Sequence, residues 1–475
     1  MNNNVQTILE YAKRLVEEGV VGSEDMLSMR FELNEMYITR AGVKLADLTE
    51  DDIIKMNIFT AEKEYKYHAE IYNNRADVNA VCQCYPKWVM PVAKAGVTTP
   101  AVLDDMAQIV GPTCKTANDD IASVIKTLKG RNSCLVKDKG CITTGRTMDE
   151  AYTCVLVLDK ASHCFVASSV IGENKIINGF EARLMRFIYK TKYSKKNQEN
   201  LSAKEDGENK VEAEPKKADD KNAVVIDKTW DNAKELELRQ VIKDSGVGLL
   251  AENLVQGTWG NTAVRLDTDH MLVTPTGLDY IALTPEDMPV VQISDPSIWA
   301  HGKKPTSERK IHSAIMQARP EINATIHSHP IFCSILASAR IELPVMSDEM
   351  QKLVGGPCRV GAYGLPGTKK LKEGTVQAME GRNACFMANH GVFCAGKDMD
   401  EAFEIIRIME KSCYQYIQEC TLKATGVAEY SDELLFNYFV EQKTAKAREA
   451  EAKKAQAKAE KAQAKKAKKP EDKQK

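Results

Sequence analysis

The chain repeats itself. Glu64-x-x-x-His68-x-x-x-Tyr72-x-x-Arg75 and the following Asn79-Ala80-Val81 track Glu308-x-x-x-His312 and the run ending in Thr325-Ile326 at an offset of 244 residues. Farther on, Cys134-Leu-Val-Lys-Asp-Lys139-Gly140 matches Cys385-Phe-Met-Ala-Asn-His390-Gly391, and both copies continue to Met-Asp-Glu-Ala, Met148 to Ala151 and Met399 to Ala402. Self-similarity on this scale means two tandem copies of one fold, and 475 residues are long enough for two or three domains. Between the copies lies a stretch of Lys, Glu, Asp and Asn with almost nothing apolar, too polar to bury a core. The expected organisation is a first domain over 1–190, a charged linker over 191–228, a second domain over 229–430 and an Ala/Lys-rich basic tail over 431–475.

Each copy mixes helix and strand signals. An amphipathic helix opens the first, with Val5, Ile8, Leu9, Ala12, Leu15 and Val16 at helical spacing, and strands and turns follow before helices alternate with strands. This reads as an α/β architecture.

Functional groups concentrate in the second copy. His327, Ser328 and His329 run out of the apolar stretch Ala324-Thr325-Ile326. A strand sends residues i and i+2 to the same face, roughly 7 Å apart, close enough for two imidazoles to share one metal with Zn–N bonds of about 2.0–2.1 Å. A third histidine, His390, stands in Cys385-Phe-Met-Ala-Asn-His-Gly391, at the polar break of another strand-like run. Three protein ligands with one open position make a catalytic rather than a structural metal site. Glu308 opens a helical stretch shortly before His327 and offers a fourth ligand or a base. His312, His270 and His301 lack this context and read as helix or loop residues.

Two polar turns lie upstream, Gln256-Gly-Thr-Trp-Gly-Asn261 and Thr274-Pro-Thr-Gly277, and neither is followed by a Walker-type lysine. Amides and hydroxyls at turns and helix starts hold anions well, so Gly260, Asn261, Thr274, Thr276, Gly277, Thr306 and Ser307 together suit a phosphate.

These residues carry a resemblance. Residues 240 to about 420 resemble the class II aldolase/adducin family, and within it the fuculose-phosphate aldolases. The shared motifs are Gly257-Thr-x-Gly-Asn-x-x-Val-Arg265, Leu272-Val-Thr-Pro-Thr-Gly277, Pro305-Thr-Ser-Glu308, His327-x-His329, Pro357-x-x-x-Gly-Ala-Tyr363, Gly367-Thr368 and Asn389-His-Gly391. The resemblance implies a layered fold around a mostly antiparallel sheet. It implies one zinc ion on His327, His329 and His390, with Glu308 as a ligand that swings away to act as acid/base. It implies phosphate held by Asn261, Thr274, Gly277, Thr306 and Ser307, with Tyr363 near the substrate. The reaction expected is zinc-dependent cleavage of a phosphorylated ketose to dihydroxyacetone phosphate and an aldehyde, in which a divalent ion serves as Lewis acid for the charge pushed onto oxygen. Epimerisation or dehydration of a sugar phosphate on the same site is the alternative within enzymes. A non-catalytic, adducin-like interaction protein is the alternative outside them.

At the same offset the first copy puts Gln83 at the place of His327 and Tyr85 at that of His329, and Lys139 stands for His390. Met26 replaces Asn261, so the first copy reads as degenerate. Lys139 is expected to fill the lost metal's space with its own charge. Cys82 and Cys84 flank Gln83, point to the opposite face, and read as core cysteines.

No run of 18 apolar residues suggests a membrane span. Thirteen cysteines without CxxC pairs, and an N-terminus lacking a signal-peptide pattern, lead us to expect a cytoplasmic protein. From Lys443 onward the tail holds 13 basic and 5 acidic residues, suited to an acidic partner or to no fixed partner. The resemblance further implies a ring of four copies with sites between neighbours. Two chains of two copies would supply it as a homo-oligomer, with Tyr189 or Tyr193 of the first copy lent to a neighbouring zinc site.

Overall fold

The computed structural model describes residues 3–193, 226, 228 and 230–467, so the expected charged linker falls almost wholly outside the described residues. Seven strands recur in the same order in the two copies, and the second adds an eighth at one edge. One seven-stranded sheet runs in the order Ile53–Asn57, Glu35–Thr39, Met26–Phe31, Ala80–Cys84, Cys141–Gly145, Ser133–Val136, Thr116–Ala117. The other has eight strands, in the order Trp299–Ala300, Val290–Gln292, His270–Val273, Asn261–Arg265, Ala324–Ser328, Gly391–Gly396, Ala384–Met387, Arg359–Gly361. Neighbours pair antiparallel except at the last edge, where both sheets close with a parallel pair. Register is shared too, since Met26 pairs with Gln83 in the first sheet as Asn261 pairs with His327 in the second.

The central strands Ala80–Cys84 and Ala324–Ser328 are buried at every position, the pattern of a strand covered on both faces rather than one. Cys82 and Cys84 lie within that core with no exposure. In the second copy the helix Arg309–Ala318 buries Ile311 and Ile315 in a cluster with Leu371, Met379 and Phe393. It ends before Arg319, which precedes Pro320 and is thereby steered away from helical backbone. The helix Met399–Thr425 starts on Asp398, whose side chain accepts from the Glu401 amide, and stops at Gly426 with φ 72°. Its buried stripe of Ala402, Ile405, Ile406, Met409 and Cys413 recurs at helical period. Truncating one such residue, Ile406→Ala, costs about 2–5 kcal/mol.

Compactness does not follow the linear copies. One compact unit comprises the residues up to Thr98, Lys115–Val155 and those from Ala428 on; the other comprises Thr99–Cys114 and Leu156–Val427. Two segments of the first copy therefore fold with the unit that bears His327, His329 and His390: the piece containing the helix Asp104–Ile109, and the piece that ends with the helix Gly179–Ile188. The tail is helical over Asp432–Ala467 and is rooted in the first unit, where Leu435 and Phe439 are fully buried. There Phe436 meets the Trp88 ring edge-on at 4.6 Å and Lys87 pairs with Asp432 at 2.5 Å. From Ala445 to Lys461 every side chain is exposed. Although it holds no unbroken run of 18 apolar residues, the helix Met148–Ile171 is long and apolar enough to cross a membrane, but 83% of its apolar window is buried inside the fold.

Candidate metal centre

His327 lies next to the end of the central strand and His329 just beyond it, while His390 sits in the turn between the strands Ala384–Met387 and Gly391–Gly396. The three are buried, at 1%, 6% and 6% exposure, and one ring nitrogen of each lies within 4.8 Å of the others. The Nε2 atoms of His327 and His329 approach to 2.8 Å. Glu308 completes the set: its Oε2 lies 3.1 Å from His327 Nε2 and its Oε1 3.1 Å from His390 Nε2.

The other side of each imidazole is anchored. His327 Nδ1 donates to the Val392 carbonyl at 3.0 Å, His329 Nδ1 to Asp105 Oδ2 at 3.1 Å and His390 Nδ1 to Asp104 Oδ2 at 2.8 Å. Carbonyl and carboxylate oxygens accept only, so the Nδ1 atoms carry protons and each Nε2 is turned to the common point. That is the donor arrangement a metal ion requires. Gly391 shows how closely the pocket is built. A Cβ there would stand 2.5 Å from the Ser328 oxygen, 2.6 Å from His329 Cδ2 and 3.3 Å from His327 Cε1. The residues present thus fit a divalent ion held by three imidazoles and one carboxylate.

Behind Glu308 stands a polar chain. Asn261 Nδ2 donates to Glu308 Oε2 at 3.1 Å, and its Oδ1 accepts from His312 Nε2 at 2.5 Å. His312 Nδ1 in turn accepts from Thr325 Oγ1 at 2.6 Å. Burial lowers His312 to about 4 and keeps it neutral. Burial pushes the Glu308 carboxyl up, but the flanking His327 and His390 imidazoles and the Asn261 hydrogen bond outweigh it and hold the group well below the usual range. His327 and His329 are driven down, first by burial. His390 goes well above its ordinary value because Glu308 and Asp104 flank it and override the effect of burial.

The residues expected around phosphate fall on two loops that lie side by side. Pro275 and Pro305 form an antiparallel bridge, Thr276 donates its amide to the Lys304 carbonyl at 3.0 Å, and Thr306 donates to the Thr274 carbonyl at 3.0 Å. Within them Gly277 (φ 66°) and Ser307 are exposed, whereas Thr306 is buried. Thr274 is also buried, its hydroxyl accepting from the Thr262 amide at 3.1 Å. Asn261 is likewise turned inward, onto Glu308 and His312. A cavity of about 120 Å³ opens beside Ser307 and Glu308 and is lined also by Thr368, Lys310, Lys369 and Lys372. Those lysines were not singled out in the sequence, where each reads as an ordinary exposed helix residue. Tyr363 is half-buried and donates its hydroxyl to Asp104 Oδ1 at 3.1 Å, with the Arg340 guanidinium 5.2 Å from its ring centre. Tyr189 ends a helix of the same unit half-buried, and the side chain of Tyr193 lies outside the described set.

In the first copy the corresponding place has no such convergence. Gln83 donates to the Tyr85 hydroxyl at 3.1 Å. Lys139 does not fill a central space: it is 46% exposed and pairs with Asp119 at 3.3 Å.

Three imidazoles and a carboxylate, gathered at the end of a central strand in a layered α/β domain, define the class of site. The family model for the class II aldolase and adducin N-terminal domain matches residues 6–166 and again 246–417. The chain belongs to this family, in two copies, and stands with its enzymes, the lyases. It is 33% identical over 181 residues to a Rhodospirillum rubrum protein described as 5-methylthioribulose-1-phosphate/5-deoxyribulose-1-phosphate aldolase, covering 38% of this chain and 80% of that protein. It is 30% identical over 179 residues to the L-fuculose phosphate aldolase of Escherichia coli K12, covering 38% and 81%. Among solved structures, an L-fuculose 1-phosphate aldolase is 30% identical and superposes with a TM-score of 0.37, covering 45% of this chain and 96% of the other.

Proposed function

We propose that the protein is a zinc-dependent aldolase that cleaves a ketose 1-phosphate, of the fuculose 1-phosphate type, to dihydroxyacetone phosphate and an aldehyde. The observation that carries this reading is the Glu308 carboxylate set between His327 and His390, with His329 completing the ring of donors. Borderline-soft imidazoles with one carboxylate suit zinc. Relatives described as acting on fuculose phosphate and on 5-deoxyribulose 1-phosphate support a sugar phosphate as substrate.

A zinc ion on His327, His329 and His390 supplies Lewis-acid stabilisation for negative charge developing on the substrate's carbonyl oxygen. Glu308 moves the hydroxyl proton of the bond that breaks. Asn261 holds its Oε2 while its Oε1 faces His390. Ser307, Thr306, Gly277 and the lysines of the adjoining cavity receive the phosphate, Thr274 bracing these loops from inside. Fixing the substrate by a group remote from the reacting bond lowers the barrier through orientation. Tyr363, hydrogen-bonded to Asp104 beside His390, stands near the substrate. Exposed Phe180, Phe187 and Ile281, at 73%, 66% and 73%, support assembly of chains into a homo-oligomer. Thirteen cysteines held as thiols support a reducing, cytoplasmic compartment.

The test is metal analysis of the purified chain and of His327→Ala, with dihydroxyacetone phosphate release measured over a panel of ketose 1-phosphates. About one zinc per chain, lost together with cleavage in the variant, is the expected result. Zinc without cleavage of any member points to epimerisation or dehydration, and absence of metal removes the catalytic reading.

A further inference from the structure

We propose that Asp104 and Asp105, contributed by the copy that lost its own ligands, are positioning residues for the metal centre of the other copy. The inference rests on the metal reading above. Two of the three histidines take their outer hydrogen bond from this pair, Asp104 Oδ2 at 2.8 Å from His390 Nδ1 and Asp105 Oδ2 at 3.1 Å from His329 Nδ1. His327 has a main-chain carbonyl of its own copy instead.

The pair is built in rather than adventitious. Asp104 is 0% exposed and Asp105 7%. Buried carboxylates are kept only where their lone pairs are satisfied. Asp104 also accepts from Tyr363, while Asp105 faces the buried Lys160 ammonium at 3.5 Å. The main chain is clamped at the same place. The Asp104 amide donates to the Asn389 carbonyl at 2.9 Å, and the Asn389 side chain donates to the carbonyls of Val102 at 2.8 Å and Lys175 at 2.6 Å. Asn389 adopts φ 57° directly before His390, so the contact with the first copy fixes the turn that presents the ligand.

The two copies divide this labour. At the common offset of 244 residues Asp104 and Asp105 fall on Asp348 and Glu349, which are exposed at the start of the helix Asp348–Val354. The first copy has kept the buried carboxylates and lost the histidines, and the second has kept the histidines with its acidic pair in solvent. Outer partners of this kind fix imidazole tautomer and orientation, and losing one typically weakens metal binding by 10–100-fold.

The experiment uses the full chain. Zinc affinity is measured by competition with a chromophoric chelator for the wild type, Asp104→Asn, Asp105→Asn and Asp348→Asn, with thermal melting of each metal-free chain alongside. The expected result is a loss of about 10–100-fold in zinc affinity for each of the first two variants, and no change for Asp348→Asn. Affinities of the first two within twofold of wild type overturn the proposal. So does an equal loss in Asp348→Asn, which would make it a general charge effect. Should Asp104→Asn lower the melting temperature of the metal-free chain, Asp105→Asn alone decides. A wild type that binds no zinc fails the metal reading itself and is distinguishable from all of these.

Discussion

His312 and His68 hold the same position in the two copies and keep different company. His312 is bonded at both nitrogens, to Thr325 and to Asn261. His68 Nδ1 bonds Ser28 Oγ at 2.7 Å, and its Nε2 has no partner. The exchange can be followed across paired strands. Ala263 faces Thr325 in the second copy, whereas Ser28 faces Val81 in the first, so the hydroxyl that serves the histidine has moved to the opposite strand. No such compensation occurred for Asn261, whose counterpart is Met26. The acid these residues support differs in the same way, Glu308 being 6% exposed and Glu64 exposed. The first copy lacks the amide that holds the carboxylate and keeps the histidine as a neutral core piece, which burial lowers to about 3.

The largest contrast belongs to the acids. Glu308→Gln is expected to lower turnover by about 10²–10⁴-fold with zinc retained, and Glu64→Gln to leave turnover unchanged; steady-state kinetics with metal analysis tells them apart. Acid stability comes next. Both buried histidines are depressed from 6.5, His312 to about 4 and His68 to about 3. The unfolded chain therefore binds more protons below about 6.5, and each group's contribution is complete above that pH and lost as pH falls toward its folded value. The loss is of order 3 kcal/mol per site, and urea midpoints between pH 7 and 4 should flatten in His312→Phe; an unaltered slope would show His312 is not buried neutral.

At neutral pH, removal of the same side chains separates the copies. His312→Phe leaves Thr325 and Asn261 without their buried partner and should cost about 2–4 kcal/mol. His68→Phe should cost less than about 1 kcal/mol, because Ser28 keeps Tyr72 at 2.8 Å and one nitrogen was already unpaired. Equal losses in denaturant unfolding would erase the distinction. The smallest effect sharpens it: Met26→Asn offers His68 Nε2 the acceptor that Asn261 gives His312 and should return about 1 kcal/mol, read as a shift in the same unfolding midpoint.

Much of the centre was legible because its chemistry is local. His327-x-His329, the polar break at His390 and the helix start at Glu308 each show in a few neighbouring residues. Strand pairing then brings them together as alternation and helix direction require. The outer carboxylates were not legible. Leu103-Asp-Asp-Met reads as the start of a short helix, and no periodicity reports that its side chains meet a histidine 286 positions away. Asn261 and Thr274 illustrate a different limit, since turn chemistry suits both phosphate and main-chain bracing, and only the fold turns them inward. The packed root of the tail was visible in Leu435, Phe436 and Phe439, but the lysines that follow masked it.

The seam in the sequence is not the seam in the structure. With Thr99–Cys114 and the residues from Leu156 onward folded into the unit that bears the histidines, the polar stretch between the repeats is no longer a place where the polypeptide can be divided into its ancestral parts. A gene encoding only the later repeat would lack Ala101, Ala107, Ile177, Ala182 and Met185, which share one apolar cluster. Deletion, truncation or recombination at the junction therefore removes a piece of the unit that bears the histidines.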